Sequence, residues 1–156
     1  MSAQQLETIE QGYSYGKRYC SRRETPVKDM KNRLIERGLT ETKANRIIKK
    51  LIEENYINEK RYATLYTQSK IRQNHWGKIK IKRMLMSKGI KLEYINEAFA
   101  TFDQQEYLDI LRNLFEKKLA TINIDNTYQR KYRLEYYLSS HGFESDLIDE
   151  LCKEYL

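Results

Sequence analysis

Ile81-Lys82-Arg83-Met84-Leu85-Met86-Ser87-Lys88-Gly89-Ile90 is the stretch on which the reading of the fold turns. An apolar residue is followed by a Leu four positions on, a Gly four beyond that, and another apolar residue at once. Further apolar residues follow at Ile95, Ala98, Phe99 and Phe102. The same offsets occur in Met30, Leu34, Gly38, Leu39, Ala44, Ile47, Ile48 and Leu51, and again in Leu134, Leu138, Gly142, Phe143, Ile148, Leu151, Cys152 and Tyr155. The glycines lie 51 and 53 residues apart. Apolar residues four apart share one face of a helix. A glycine directly after such a face ends the helix, because it adopts the left-handed backbone that other residues resist. The spacings of three and four that follow mark a second amphipathic helix, with Thr40 placed to cap it in the first copy.

Upstream of each pair lies another helical stretch, over 13–21, 58–73 and 105–120. Asn58 reads as a helix start, and so does Thr25, with Pro26, the only proline, at the first helical position. The expectation is an all-α protein built as three tandem three-helix repeats over 13–55, 56–103 and 104–156, preceded by a tail over 1–12. A self-similar period of this length denotes an array of one supersecondary unit, here elongated and open to curvature, rather than one globular core. Arrays offer long surfaces to long partners.

The 156 residues carry 29 Lys and Arg against 22 Asp and Glu, a net charge of +7 that is unevenly spread. The first unit with its tail carries +4, the second +6 and the third −3. Between Gln68 and Lys91 stand eight cations (Lys70, Arg72, Lys78, Lys80, Lys82, Arg83, Lys88 and Lys91) and no acid. A solvated helix face mixes signs, because Glu–Lys pairs along it are stabilising. A one-signed window points to an anionic partner, either nucleic acid or an acidic protein surface. On the helix around Ile81 and Leu85, the side opposite the core gathers Ile79, Lys82, Arg83 and Met86, with Lys80 adjacent. Apolar side chains among outward cations are unusual on an inert surface. Trp76, the only tryptophan, stands just before this helix, where it would stack on bases, anchor a protein interface or pack across the joint between helices.

No catalytic set assembles. The glycines make neither a dinucleotide fingerprint nor a phosphate-cradling loop. His75 and His141 lack partners at metal-ligand spacing, and a cation-favouring helix C-terminus accounts for His141, Arg37 and Lys88. No metal or cofactor is expected. No apolar run reaches membrane-spanning length, and the start (Met1, Ser2, Gln4, Gln5, Glu7) lacks the layout of a secretory signal. Cys152 sits at an apolar repeat position, so a buried free thiol is expected rather than a disulfide with Cys20. These features point to the cytoplasm.

Two stretches resemble the RecX regulatory family. One is Tyr56-Ile57-Asn58-Glu59-Lys60-Arg61-Tyr62-Ala63, followed by Trp76-Gly77-x-x-Lys80-Ile81 and Leu85-x-x-Lys88-Gly89-Ile90. The other is Arg22-Arg23-Glu24, then Asp29-Met30 and Leu34-x-x-x-Gly38. The chain departs from the family's pattern where Lys78 stands for a usual Pro and Pro26 for a usual Ser cap. The resemblance implies a non-catalytic modulator of the bacterial recombinase RecA, monomeric, which binds the groove of the RecA–DNA filament and inhibits its ATPase and strand exchange. Single-stranded DNA, and duplex as a second form, would be further partners, and DNA repair and the SOS response the setting. The expected contact residues are Lys70, Arg72, Trp76, Lys80, Lys82, Arg83 and Lys88, with Arg22, Arg23 and Lys28 extending the track. The alternatives are a helix-turn-helix-like regulator that reads naked duplex directly and a protein scaffold without DNA affinity.

Overall fold

The computed structural model describes residues 5–156, and among these it forms nine helices and no strand. The first unit comprises α1 (Ile9–Arg22), α2 (Val27–Glu36) and α3 (Glu41–Glu53). The second comprises α4 (Glu59–Arg72), α5 (Lys78–Ser87) and α6 (Leu92–Thr101), and the third α7 (Gln104–Thr121), α8 (Thr127–Ser140) and α9 (Ser145–Tyr155). The predicted caps at Thr40 and Asn58 are present, their side chains accepting from the Lys43 and Arg61 amides.

The repeated glycine is the joint within every unit. Gly38, Gly89 and Gly142 have φ of 108°, 77° and 93°, in the region where a Cβ is penalised. Each donates its amide back to Ile35, Met86 or Ser139, while the next residue (Leu39, Ile90 or Phe143) donates to the carbonyl of Leu34, Leu85 or Leu138. Two otherwise orphaned carbonyls are thus satisfied at each helix end. The leucine and the apolar residue after the glycine are buried together in each copy. The sequence pattern is therefore the outline of one left-handed C-cap, used three times.

Two details differ from expectation. The tail over 1–12 is not free from residue 5 on: α1 starts at Ile9, Leu6 is buried, and the Leu6 amide donates to the Arg37 carbonyl at 2.8 Å. The rest of that tail lies outside the described residues. Thr8 and Gln11 cap the helix reciprocally. Pro26 stands at the N-cap with extended backbone rather than at the first helical position, because the buried Thr25 turns its hydroxyl back to the Arg23 carbonyl and delays the helix to Val27.

Successive units meet head to tail. The N-terminal end of the middle helix of one unit sits on the glycine turn of the next. At the second joint the Gly77 amide donates to the His141 carbonyl at 2.7 Å and the Ile79 amide to Gly142 at 3.0 Å. Tyr107, buried, accepts from the Lys78 amide and donates to Glu144. The buried residues of units two and three form one continuous core from Ala63 to Cys152. The first unit keeps its own core, from Leu6 to Ile57. Its joint to the second is polar: Lys88 pairs with Asp29 at 3.1 Å, Lys28 donates to the Ser87 carbonyl at 2.9 Å, and Arg61 holds Glu24 while its guanidinium also donates to the Asn55 carbonyl at the end of α3. Partly exposed pairs of this kind contribute at most about 1 kcal/mol each, so the shared core makes the second joint the firmer one.

The two joints predict different costs for the same substitution. A Cβ on Gly142 would lie 2.3 Å from the Lys80 Cβ and 2.6 Å from its amide nitrogen, whereas one on Gly89 meets nothing closer than Lys28 at 3.9 Å. Gly89→Ala should cost only the left-handed strain, about 1–2 kcal/mol. Gly142→Ala should cost clearly more in urea unfolding; equal midpoints for the two variants would contradict the close joint.

Candidate functional site

α5 carries the candidate face. Its buried side, Ile81 and Leu85, fixes its rotation. The opposite side leaves Ile79 and Met86 exposed at 52% and 54%, beside the exposed Lys82 and Arg83. Neither cation has a carboxylate within ion-pair distance among the described residues. Large apolar groups beside unmatched cations can cover apolar surface and neutralise phosphate or carboxylate at once.

Of the sequence readings of Trp76, the structure shows the packing one. The chain reaches it through His75, with φ of 55°, and the Trp76 amide closes on the Lys70 carbonyl at 3.0 Å. The ring is half-buried against the shared core. Its remaining face lies under two ammonium groups, Lys70 at 4.7 Å and Lys80 at 4.3 Å from the ring centroid. Cation–π contacts of this kind are worth about 0.5–1 kcal/mol at exposed sites. They hold the two charges together at the N-terminal end of α5. Tyr62 and Tyr66 pack half-buried against the same core, and burial pushes the Tyr62 hydroxyl up to about 12.

Not every cation of the acid-free window is unmatched. Arg72 makes a two-pronged pair with Glu106 of the third unit, at 2.7 and 3.0 Å, and the guanidinium holds the Glu106 carboxyl below the ordinary carboxylate range. Lys88 is matched by Asp29 of the first unit. The acids that neutralise them come from other units. Lys28 is exposed and spans to the C-terminal end of α5 through the Ser87 carbonyl. Arg22 is exposed at the end of α1, and Arg23 lies 5.1 Å over the Tyr19 ring. The structure therefore separates Lys82 and Arg83 on the outward face, Lys70 and Lys80 on Trp76, and Lys28 at the joint, from Arg72 and Lys88, which tie units together.

Three exposed tyrosines on α8 (Tyr128, Tyr132 and Tyr136) were not among the sequence candidates. The signal was present: they stand four apart, on the side of the helix away from Leu134 and Leu138. Among the described residues no group of three or more His, Cys, Asp or Glu side chains is placed to hold a metal, and no helix is long and apolar enough to cross a membrane. Cys20 and Cys152 are free thiols.

Fold and face together define a class, an all-α array of three-helix units with an exposed cationic and apolar helix face. Residues 58–98 match the description "RecX, second three-helix domain" and residues 105–152 match "RecX, third three-helix domain". The chain belongs to the RecX family. It is similar to the "Regulatory protein RecX" of Bacillus cytotoxicus, with 27% identity over 150 residues, 96% of this chain and 55% of that protein. The protein of the same name from Bacillus thuringiensis is 26% identical over the same shares. The chain thus spans about half the length of these curated relatives. The crystal structure of RecX from Lactobacillus salivarius superposes with a TM-score of 0.85 at 26% identity, covering 94% of this chain and 95% of that one.

The separation of matched from unmatched cations is measurable. For a single-stranded oligonucleotide, Lys82→Ala or Arg83→Ala should each lower the dependence of log affinity on log salt by about 0.7 units. Arg72→Ala should change that slope less, because Glu106 already balances its charge. Equal slopes for all three variants would mean that the ion pair does not set the free charge.

Proposed function

We propose that the chain docks in the groove of a RecA–DNA filament as a monomer and restrains the recombinase's ATPase and strand exchange, without chemistry of its own, in the bacterial cytoplasm. The outward face of α5 carries this reading. A nucleoprotein filament presents phosphates and protein surface side by side, and Lys82 and Arg83 suit the first while Ile79 and Met86 suit the second. Membership of a family whose relatives are named regulatory proteins supports the same reading. Lys28 reaches the C-terminal end of α5 through the Ser87 carbonyl, and on this reading Arg22 and Arg23 at the end of α1 extend the track. A track of this form follows an extended partner rather than enclosing a small one.

The test is a RecA ATPase assay on single-stranded DNA with increasing amounts of this protein. Turnover should fall as the protein approaches and exceeds stoichiometry. The variant Lys82→Glu with Arg83→Glu should restore most of the turnover while its helical circular dichroism stays that of the parent, since both side chains are exposed. Unchanged turnover with the parent protein would overturn the reading. Tight, sequence-selective binding to naked duplex, without effect on the recombinase, would point to a direct DNA reader instead.

A further inference from the structure

On α8, Tyr128, Tyr132 and Tyr136 are 80%, 62% and 71% exposed. Four-residue spacing stacks them in a column along the helix, with a rise of about 6 Å from one ring to the next. Three large rings held in solvent on one face are what an interaction surface presents. The repeat register says which surface this is. Counting back from each glycine, Tyr132 and Tyr136 occupy the positions held by Ile79 and Arg83 on α5 and by Lys28 and Asn32 on α2. The α8 column is thus the third-unit counterpart of the candidate face in the second unit. The two faces are also consecutive: the Ile79 amide at the start of α5 is bonded to Gly142, just beyond the end of α8.

The surroundings select the occupant. A groove of about 330 Å³ beside the column is lined by Lys118, Tyr132, Arg133, Tyr136, Tyr137 and Ser140, with two cations and no acid. Lys118 lies 4.8 Å over the Tyr137 ring, and the exposed Arg133 has no carboxylate partner among the described residues. The sole acid of α8, Glu135, pairs with Lys131 at 3.7 Å. Of the unit's other acids, Glu106 and Glu154 are paired with Arg72 and Arg112 and Glu144 accepts from Tyr107, while the exposed Asp125 precedes α8 at the Tyr128 end. Flat rings flanked by unmatched cations suit a partner with exposed π-faces and negative charge. A duplex hides its base faces at a spacing of about 3.4 Å, narrower than the ring spacing, and a peptide of acidic side chains alone would offer the rings nothing to stack on.

We propose that Tyr128, Tyr132 and Tyr136 form a stacking column for the bases of a single-stranded nucleic acid, with Arg133 and Lys118 taking the adjacent phosphates. The proposal rests on the nucleic-acid half of the reading above and extends it onto the third unit. The test measures fluorescence anisotropy of the full chain with a labelled short oligothymidylate and with an abasic strand of the same length, at one salt concentration. The parent should prefer the base-bearing strand. The double variant Tyr132→Ala, Tyr136→Ala should lose about tenfold or more on that strand, since each stacked base carries a sizeable share of the affinity, and should no longer distinguish the two strands. Tyr132→Phe with Tyr136→Phe keeps the rings and should bind as the parent does. Parent-like affinity of the alanine variant for the base-bearing strand overturns the proposal, as does loss of affinity for DNA-free RecA with strand binding intact, which would make the column a protein anchor. If strand binding depends on the tyrosines while recombinase turnover is unaffected by the parent protein, the filament reading fails and this one stands.

Discussion

Each unit closes on a glycine whose backbone lies where side-chain-bearing residues are strained, and the remaining geometry follows from that turn. The positive φ brings two amides back to the last carbonyls of the middle helix and sends the next helix off with its apolar face on the same leucine. Without it, the middle helix would have no sharp stop, and the third helix would not fold back onto the buried leucine. The same turn is then reused between units. At Gly142 its carbonyls receive amides from the preceding unit, so there one backbone conformation serves as stop signal, packing point and docking site.

The two docking sites are not equivalent, and the difference traces to single residues. Gly77 has an amide to give and no side chain to obstruct, so α5 sits directly on the turn of the third unit. Pro26 holds the matching place in the first unit and has no amide to give. There the contact is made by side chains, Asp29 with Lys88 and Lys28 with the Ser87 carbonyl. Apolar burial scales with area and resists salt, whereas exposed ion pairs weaken as salt rises. Units two and three therefore form one packed body, to which the first is joined by charge.

Much of this was legible in the residues. The triple pattern gives the helix pairs, the turns and the buried positions of the second and third helices of each unit, because burial and C-capping both act over a few residues, but not those of the first helices, such as Ala63, Tyr107 and Leu111. The start of α1 was less so. Gly12 and Gly16 weaken helical propensity and obscure how far the helix read over 13–21 extends toward Ile9, although it needs them, since a Cβ on either would strike Ile47, Leu39 or Leu51 of the first unit. The Thr8 and Gln11 box was the local signal that marked the true start. The candidate face on α5 was readable from helical spacing. The neutralisation of Arg72 and Lys88 was not, because their acids lie 34 and 59 residues away in the chain. The tyrosines of α8 were overlooked for a different reason: the third unit is acidic as a whole, and a summed charge conceals which side of a helix carries it.

A contact that joins the front of one module to the back of the next leaves an unused front at one end and an unused back at the other. Such an assembly has a direction and no preferred length. The length of surface such an array presents is then a matter of how many modules it holds, provided each added one brings its own joint.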